Sequence, residues 1–199
     1  TKLLPQMMDT VLKASQLSKR DITGCTFANG PGAFTGIRIA ASTAQGIAIA
    51  LDIPIAPIST LAVLAQSSLN KYDFSDVLVA LDARMGEAYW AIYGRDNSGL
   101  AVLKGCENLN KLDDVFVLNI PACGTGHGWA VGEDIWRQNF LGKQEIKIDS
   151  ALLPDSTALL KLAKRAIDNG DIVSADHVSI NYLRNNVAEK SNKNPLTRG

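Results

Sequence analysis

Asn29-Gly-Pro-Gly-Ala-Phe-Thr-Gly-Ile-Arg38, continued by Ile39-Ala-Ala-Ser-Thr-Ala-Gln-Gly-Ile-Ala-Ile-Ala-Leu51, is a turn that leads into a long apolar helix. Residues 24–28 before it are short and apolar enough to form a strand, which the Gly-Pro-Gly segment ends. Thr35 is positioned to cap the helix. Because few of the residues after Thr35 are polar, we expect the helix to be buried on more than one side.

The composition is that of an ordinary globular protein. Hydrophobic residues make up 46% and charged residues 20% of 199 residues, which is enough material for a sizeable core. Lys+Arg and Asp+Glu balance at 20 each, so no overall field attracts the chain to nucleic acid or to a membrane. Three cysteines form no CxxC pair and are typical of reduced thiols. We therefore expect a cytoplasmic protein that makes no membrane contact.

The rest of the chain alternates between helical and strand patterns. Helical spacing predicts an amphipathic first helix. A short apolar run at 53–58 predicts a buried strand, and a second helix, which Ser59 or Thr60 caps, runs through Leu69. The apolar face of the first helix comprises Leu3, Leu4, Met7, Met8, Val11 and Leu12.

From Val77 onwards the period changes to two. Residues 77–81 and 87–93 predict two strands joined by a turn at Gly86, and 100–103 predict a third, so we expect an antiparallel meander. A further strand at 122–129 precedes a helix that Asp155 or Ser156 caps and that ends at Gly170. The change of period indicates an N-terminal lobe at 1–75 and a C-terminal lobe at 76–185. A polar tail at 186–199 is expected to be flexible.

Two glycine-rich loops lie where phosphate-binding loops commonly occur. The first, Gly30-Pro-Gly-Ala-Phe-Thr-Gly36, has neither the spacing of a dinucleotide fingerprint nor the Lys-Ser/Thr of a P-loop. We interpret it as a tight turn, with phosphate binding as the alternative. The second is Gly124-Thr-Gly-His-Gly128, to which the same alternatives apply. The possible nucleotide-proximal residues are Gly30, Gly32, Gly124 and Gly126.

Candidate catalytic residues form no convincing set. His127 and His177 are 50 residues apart in sequence and belong to no HxxxH or HExxH pair, so the sequence predicts no metal site. Asp82 and Glu87 flank a turn that contains Arg84. We interpret them as carboxylates that Arg84 braces rather than as an acid–base pair. No Ser/His/Asp arrangement is apparent, and the sequence predicts no catalytic residue.

Three stretches carry a family resemblance. They are Gly30-Pro-Gly-Ala-Phe-Thr-Gly-Ile-Arg38, Ala80-Leu-Asp-Ala-Arg-Met-Gly-Glu-Ala-Tyr-Trp90 and Tyr182-Leu-Arg-Asn-Asn-Val-Ala188. In order and spacing they resemble the TsaB (YeaZ) family, and most of all its gammaproteobacterial members. The resemblance covers nearly the whole chain.

The resemblance implies a fold and a function. The fold is α/β, a two-lobed actin-like ATPase (ASKHA) fold with RNase H-like lobes. The function is that of a non-catalytic scaffold that binds TsaD, with TsaE, during threonylcarbamoyladenosine (t6A37) modification of ANN-decoding tRNAs. It implies that tRNA is contacted indirectly, through the complex. TsaD binds metal through a His-x-x-x-His pair, which this chain lacks, so ATP and metal are expected on the partner proteins and no cofactor on this chain.

The chain departs from the family at its start. Members open with a β-hairpin that carries an Asp-Thr-Ala/Ser stretch, whereas here the helical pattern begins at once. We expect this first hairpin to be missing, through proteolysis or deliberate shortening. An edge strand of the N-terminal lobe should then be exposed.

The first two helices carry more apolar surface than one sheet face covers, and such a surplus marks an interface. The resemblance implies that it is buried in a four-helix bundle, either with TsaD or with a second copy of the chain. We therefore expect a homodimer when the chain is alone. The predicted interface residues are Leu4, Met7, Met8, Val11, Leu12, Ile39, Thr43, Ile47 and Ala50.

Two alternatives to the scaffold remain open. One is a nucleotide-binding ATPase or kinase of the same fold that acts on its own. The other is an M22 glycoprotease-like protein, because the family was earlier grouped with the M22 glycoproteases. The family was also linked to the resuscitation of dormant cells. The first requires nucleotide turnover, and the second requires a metal pair or a nucleophile–base pair.

Overall fold

Five α-helices, four short 3-10 helices and seven strands make up the part of the chain described by the computed structural model, residues 3–115, 123–140 and 146–184. The helices are α1 (Leu3–Ala14), α2 (Phe34–Leu51), α3 (Thr60–Lys71), α4 (Glu133–Phe140) and α5 (Ser156–Asn169). The strands are β1 (Cys25–Ala28), β2 (Ile55–Ile58), β3 (Asp76–Arg84), β4 (Glu87–Arg95), β5 (Ala101–Lys111), β6 (Cys123–Thr125) and β7 (Lys147–Asp149).

The larger sheet has five strands in the order β5-β4-β3-β6-β7. Strands β3, β4 and β5 pair antiparallel, and this confirms the predicted meander. Strands β6 and β7 add in parallel beyond β3. The order is therefore that of a mixed sheet, with the meander at one side.

The two faces of this sheet have different cores. Because side chains alternate along a strand, Val77 and Val79 face one way, where they share a cluster with residues of α3 and α5. Leu78 faces the other way and packs with two buried tryptophans, Trp129 and Trp136. Their ring centroids are 5.2 Å apart. The five-stranded sheet is thus covered on both faces.

Side-chain caps fix the starts of α3 and α5. Ser59 precedes α3 and its hydroxyl accepts a hydrogen bond from the Leu61 amide at 3.1 Å. Asp155 precedes α5, and its carboxylate accepts from the Ala158 amide at 2.9 Å. That bond lowers the pKa of Asp155 below its ordinary value. Both caps were among the sequence predictions and are confirmed.

The smaller sheet consists of β1 and β2, paired in parallel with Cys25 opposite Ile55. Helix α2 covers it through a narrow alanine stripe, Ala41, Ala44 and Ala48. The expectation that α2 is buried on more than one side is wrong within this chain. Its other sides are covered only in part, by the segment at 173–180 and by α1, so that just these three alanines are fully buried.

The cap predicted for α2 is also wrong. The helix begins at Phe34 and is preceded by Ala33, which makes no side-chain cap. A cap residue must lie before the helix with an extended backbone, whereas Thr35 is already inside the first turn.

One edge of β1 carries no strand among the described residues, since β2 is its one hydrogen-bonded neighbour there. That the family's first hairpin is missing stays a prediction. The division into lobes at 75/76 stays a prediction, and the tail at 186–199 lies outside the described residues.

Helix α2 is the one described helix that is long and apolar enough to cross a membrane. Packed helices of globular domains meet the same criteria. Here the buried alanine stripe and the 2.8 Å hydrogen bond from the Gln45 side-chain amide to the Ala175 carbonyl hold α2 against the rest of the chain. We therefore interpret α2 as a packing helix.

Candidate functional site

Helix α1 is attached to the domain without burying any of its residues. Its most exposed apolar side chains are Leu3 at 68%, Met7 at 57% and Val11 at 66% of their full accessible area. An amphipathic helix normally gains its stability by burying its apolar face. In α1 much of that face is left uncovered by the described part of the chain.

An apolar groove of about 410 Å³ lies between α1 and α2. We call it the α1–α2 groove. Its lining residues are Pro5, Met8, Asp9, Leu12, Lys19, Ile22, Ser42, Thr43, Gly46, Ile47, Ala50 and Leu51.

The structure brings five of the nine predicted interface residues together in this groove, namely Met8, Leu12, Thr43, Ile47 and Ala50. The others lie beside it. Met7 and Val11 are exposed on α1 and Leu4 is half-buried. Ile39 lines a shallow depression next to the groove. Ser42 and Thr43 line both, so the two surfaces are continuous. Whether a partner occupies them stays a prediction.

The polar groups of the groove are largely neutralised. The Thr43 hydroxyl donates to the Ile39 carbonyl at 2.7 Å, which leaves its methyl group for packing. Asp9 and Lys19 form an ion pair of 3.8 Å at the rim. A Cβ atom added at Gly46 would meet nothing within 4 Å. The groove therefore offers apolar surface and open space, which suits side chains of a partner helix.

Helical spacing identified the apolar residues of the groove but not its loop residues. Lys19 and Ile22 reach the groove from the segment after α1. No periodic signal marks them, because the turn of the chain brings them there.

The three stretches that carry the family resemblance converge at a second place. The Asn181 amide donates to the Asn29 carbonyl at 2.9 Å. Arg38 Nε donates to the Tyr182 hydroxyl at 3.1 Å, and the Arg38 guanidinium carbon lies 3.3 Å from the centroid of the Phe34 ring. A cavity of about 190 Å³ lies between these segments and is lined by Pro31, Gly32, Phe34, Ile37, Tyr89, Asn181, Tyr182, Leu183 and Arg184.

Glu107 is a half-buried anchor of this junction that the sequence analysis missed. Its carboxylate accepts hydrogen bonds from the Ser59 hydroxyl, from the Tyr93 hydroxyl at 2.6 Å and from the Asn181 side-chain amide at 2.7 Å. Burial and the neighbouring Glu107 carboxylate raise the pKa of Tyr93 well above its usual range. A lone Glu in an alternating strand gives no signal for such a role, since its partners are distant in sequence.

The glycines considered for nucleotide contact are packed against protein atoms. A Cβ atom at Gly30, where φ is +112°, would lie 2.9 Å from the Asn181 carbonyl oxygen. One at Gly124 would lie 2.5 Å from the Trp129 ring, and one at Gly126 would collide with the Ala80 carbonyl. Gly32 lines the small cavity. Their packing accounts for glycine at three of the four positions and favours the tight-turn interpretation.

The carboxylates predicted around Arg84 are arranged differently from the expectation. Arg84 Nη1 pairs with Asp82 at 3.0 Å, as predicted. Glu87 pairs instead with Arg184, at 2.5 Å, because the chain returns to this turn after α5. The Asp82 amide donates to His127 Nδ1 at 3.2 Å, which ties the second glycine-rich loop to the turn.

The two histidines are not placed as metal ligands in the described part of the chain. Within 3–115, 123–140 and 146–184, no three His, Cys, Asp or Glu residues are placed to hold a metal ion. His127 is engaged by the Asp82 amide, and His177 Nδ1 shares a 2.8 Å hydrogen bond with Ser174.

Comparison with known proteins gives the family. The family model for TsaD, tRNA N6-adenosine threonylcarbamoyltransferase, matches residues 1–191. The tRNA threonylcarbamoyladenosine biosynthesis protein TsaB of Escherichia coli K12 is 36% identical and covers 95% of this chain, which in turn covers 82% of that protein. The protein of the same name from Haemophilus influenzae is 30% identical, with coverages of 96% and 82%.

Solved structures agree with these relatives. YeaZ from Pseudomonas aeruginosa superposes with a TM-score of 0.82 at 33% identity, covering 92% of this chain and 84% of its own. Another solved structure, described as a protein with similarity to peptidase YeaZ from Pseudomonas aeruginosa, gives 0.83 at 32% identity with the same coverages. At this identity and coverage the chain belongs to the TsaB (YeaZ) family, with the mixed α/β architecture of the TsaD and actin-like fold family.

Proposed function

We propose that this chain is a non-catalytic scaffold of tRNA threonylcarbamoyladenosine synthesis, and that it binds TsaD, with TsaE, through the α1–α2 groove. The observation that carries the proposal is the uncovered apolar face of α1 beside an apolar groove. The relatives at 30–38% identity are named as biosynthesis proteins for this modified nucleoside. The modification at position 37 of ANN-decoding tRNAs would then be completed on the partner, in the cytoplasm.

The same surface supports a homodimer when the chain is alone. Each Å² of apolar surface buried in the dimer contributes about 25 cal/mol to the free energy of association. The loss of translational and rotational freedom on association opposes this gain. Met7 and Met8 are flexible side chains that adapt to differently shaped partners. A surface built from them suits two exchangeable occupants, a second copy and TsaD.

ATP and metal are proposed to act on the partner proteins. Packing explains the glycines at 30, 124 and 126, so these loops offer no separate argument for a nucleotide. An autonomous ATPase or kinase remains the alternative, and it requires Mg²⁺-dependent turnover by the purified chain. A glycoprotease-like activity, the other alternative, requires peptide hydrolysis by the chain alone.

Co-purification followed by an activity assay tests the proposal. TsaD and TsaE are purified with and without this chain, and threonylcarbamoyladenosine formation is measured on an unmodified tRNA that reads an ANN codon. The expected result is a complex that contains this chain, and product that depends on it. Val11→Asp should abolish both, whereas Leu160→Asp, at a similarly exposed leucine on α5, should leave the complex with TsaD intact. Full product formation without the chain would contradict the scaffold role.

A further inference from the structure

A polar groove of about 500 Å³ lies on a different part of the molecule from the α1–α2 groove. It is formed by the end of α3, the β4–β5 turn and one face of α5. Its lining residues are Leu69, Asn70, Arg95, Ser98, Gly99, Leu100, Lys161 and Lys164. We call it the α3–α5 groove. None of these residues lines the α1–α2 groove.

The α3–α5 groove is positively charged although the whole chain is neutral. Three of its lining residues are cations, Arg95, Lys161 and Lys164, and none is a carboxylate. Lys164 pairs with Asp168 at 2.7 Å, with both side chains largely exposed. Lys161 has only the neutral Asn70 side chain as its described partner, at 3.1 Å. The exposed Lys164–Asp168 ion pair is weak, so Lys164 can readily bind another anion in place of Asp168.

Arg95 contributes charge but few free donors. Its Nη2 donates to the carbonyls of Leu69 at 2.7 Å and Tyr72 at 2.9 Å, and its Nε to that of Phe74 at 3.2 Å. These bonds satisfy carbonyls at the end of α3. The guanidinium is therefore fixed at the groove as a structural cation, with two of its three nitrogens occupied.

The pattern favours phosphate over carboxylate. Proteins commonly bind carboxylates through bidentate hydrogen bonds from an arginine guanidinium. In Arg95, Nε and Nη2 already donate to backbone carbonyls. Lysines act on phosphate as mobile point charges, and neutral amide side chains add hydrogen bonds. Asn70 Oδ1 accepts from both Lys161 and Gln66, each at 3.1 Å, so its Nδ2 is left as a donor without a described partner.

We propose that the α3–α5 groove binds phosphates of an RNA backbone. The choice of RNA as the source of the phosphates rests on the proposed function in tRNA modification. The cations come from two elements, a strand end and a helix, along an open groove, which suits successive phosphates of a chain. The contact would be direct, unlike the indirect contact that the family resemblance implies. It would also be independent of sequence, because phosphate contacts position a nucleic acid without reading its bases.

Binding of a labelled tRNA to the full chain tests this proposal. An unmodified transcript that reads an ANN codon is titrated with the chain at about 50 and 150 mM salt, and fluorescence anisotropy is read. Lys161→Gln combined with Lys164→Gln should weaken binding about tenfold at the lower salt. The slope of log affinity against log salt should fall by about one to two. Lys161→Arg should retain binding.

Lys111→Glu provides the matched control, because it changes the net charge by the same two units as the double variant. Lys111 ends β5, about 30 Å along the strand from the residue that follows the β4–β5 turn. It should bind tRNA like the parent chain. Equal weakening by Lys111→Glu would overturn the proposal in favour of a diffuse charge effect. No binding of tRNA by the parent chain at the lower salt would also overturn it.

Two competitors distinguish other sources of negative charge. Displacement of tRNA by millimolar ATP would assign the groove to a mononucleotide, and displacement by polyglutamate at equal charge would assign it to an acidic protein. Either result overturns the proposal.

Co-purification with TsaD keeps the two proposals separate, since the double variant should still bind TsaD. Failure of the parent chain to bind TsaD would contradict the scaffold, but would leave the tRNA measurement valid.

Discussion

Arg184 Nη2 lies 2.5 Å from Glu87 Oε2, and it also donates a 2.9 Å hydrogen bond to the Ala83 carbonyl. One side chain thus ties the segment after α5 to the β3–β4 turn. Both charged side chains are mostly buried, with 23% and 22% of their area exposed. Removing one partner of such a pair leaves the other charge poorly compensated.

Arg184→Gln should therefore lower the free energy of unfolding by about 2 kcal/mol. Chemical denaturation followed by circular dichroism measures the change. Arg20→Gln is the control, because Arg20 is exposed and has no ion pair with a described carboxylate. Adding Glu87→Gln to Arg184→Gln should recover part of the loss, since the unpaired carboxylate is then removed. Equal stability of Arg184→Gln and the parent would show that the pair contributes little.

The homodimer should depend on the exposed face of α1. Val11→Asp or Met7→Asp places a charge where apolar area is expected to be buried, twice in a symmetric dimer, so the dissociation constant should rise at least about 100-fold. Light scattering over a dilution series gives the mass. Leu160→Asp, at a leucine 62% exposed on α5, should remain dimeric. A dimer that survives both α1 changes would place the interface elsewhere.

The chain alone should be catalytically silent. Purified protein is expected neither to hydrolyse peptides nor to turn over ATP above a heat-killed sample, because no metal-holding group lies among the described residues and Asp82 and His127 are engaged in structural contacts. Coupled phosphate release and a fluorogenic peptide panel measure this. Turnover that is lost on Asp82→Asn or His127→Ala would contradict the scaffold assignment.

TsaD and a second copy of the chain should compete for one surface. If both use the α1–α2 groove, each heterodimer formed draws monomers away from the homodimer. Native mass spectrometry at rising ratios of TsaD should show homodimer falling as heterodimer rises, and Val11→Asp should weaken both. Stable particles that contain TsaD and two copies of this chain joined through α1 would contradict this. They would show that the homodimer and TsaD use separate surfaces.

Asp149 should make stability depend on pH in the acid range. Lys71 at 2.8 Å and the Tyr72 hydroxyl at 2.7 Å both donate to its carboxylate, and these bonds lower the pKa of Asp149. A lowered pKa in the folded state means that the stabilisation is present above the ordinary value of about 3.9 and is lost as pH falls through the folded pKa.

Asp149→Asn should accordingly cost about 1 kcal/mol at neutral pH. The unfolding free energies of variant and parent should converge at strongly acidic pH, where the parent carboxylate is protonated as well. Asp73→Asn, at an exposed carboxylate on the loop after α3, is the control and should cost little. A constant difference between variant and parent at all pH values would show that the carboxylate charge is not the cause.

Local patterns in the chain were sufficient for most elements. The alternation at 77–81, the turn at Gly86 and the caps at Ser59 and Asp155 each depend on residues a few positions apart, so they are readable in one dimension. The apolar residues of the α1–α2 groove follow from helical spacing for the same reason. The family resemblance added the fold, because three separate stretches kept their order and spacing.

Contacts between distant segments were decided by the tertiary structure. Helix α2 is apolar nearly all round, but how many of its sides are covered depends on which elements lie near it, and composition does not record that. Glu87 was assigned to the nearby Arg84, whereas the chain delivers Arg184 to it from 97 positions away. Glu107 likewise gains Ser59 and Asn181 only when β2, β5 and the segment after α5 meet. Ion pairs and buried hydrogen bonds depend on distances of a few ångströms in space, and spacing along the chain sets those distances only within single elements.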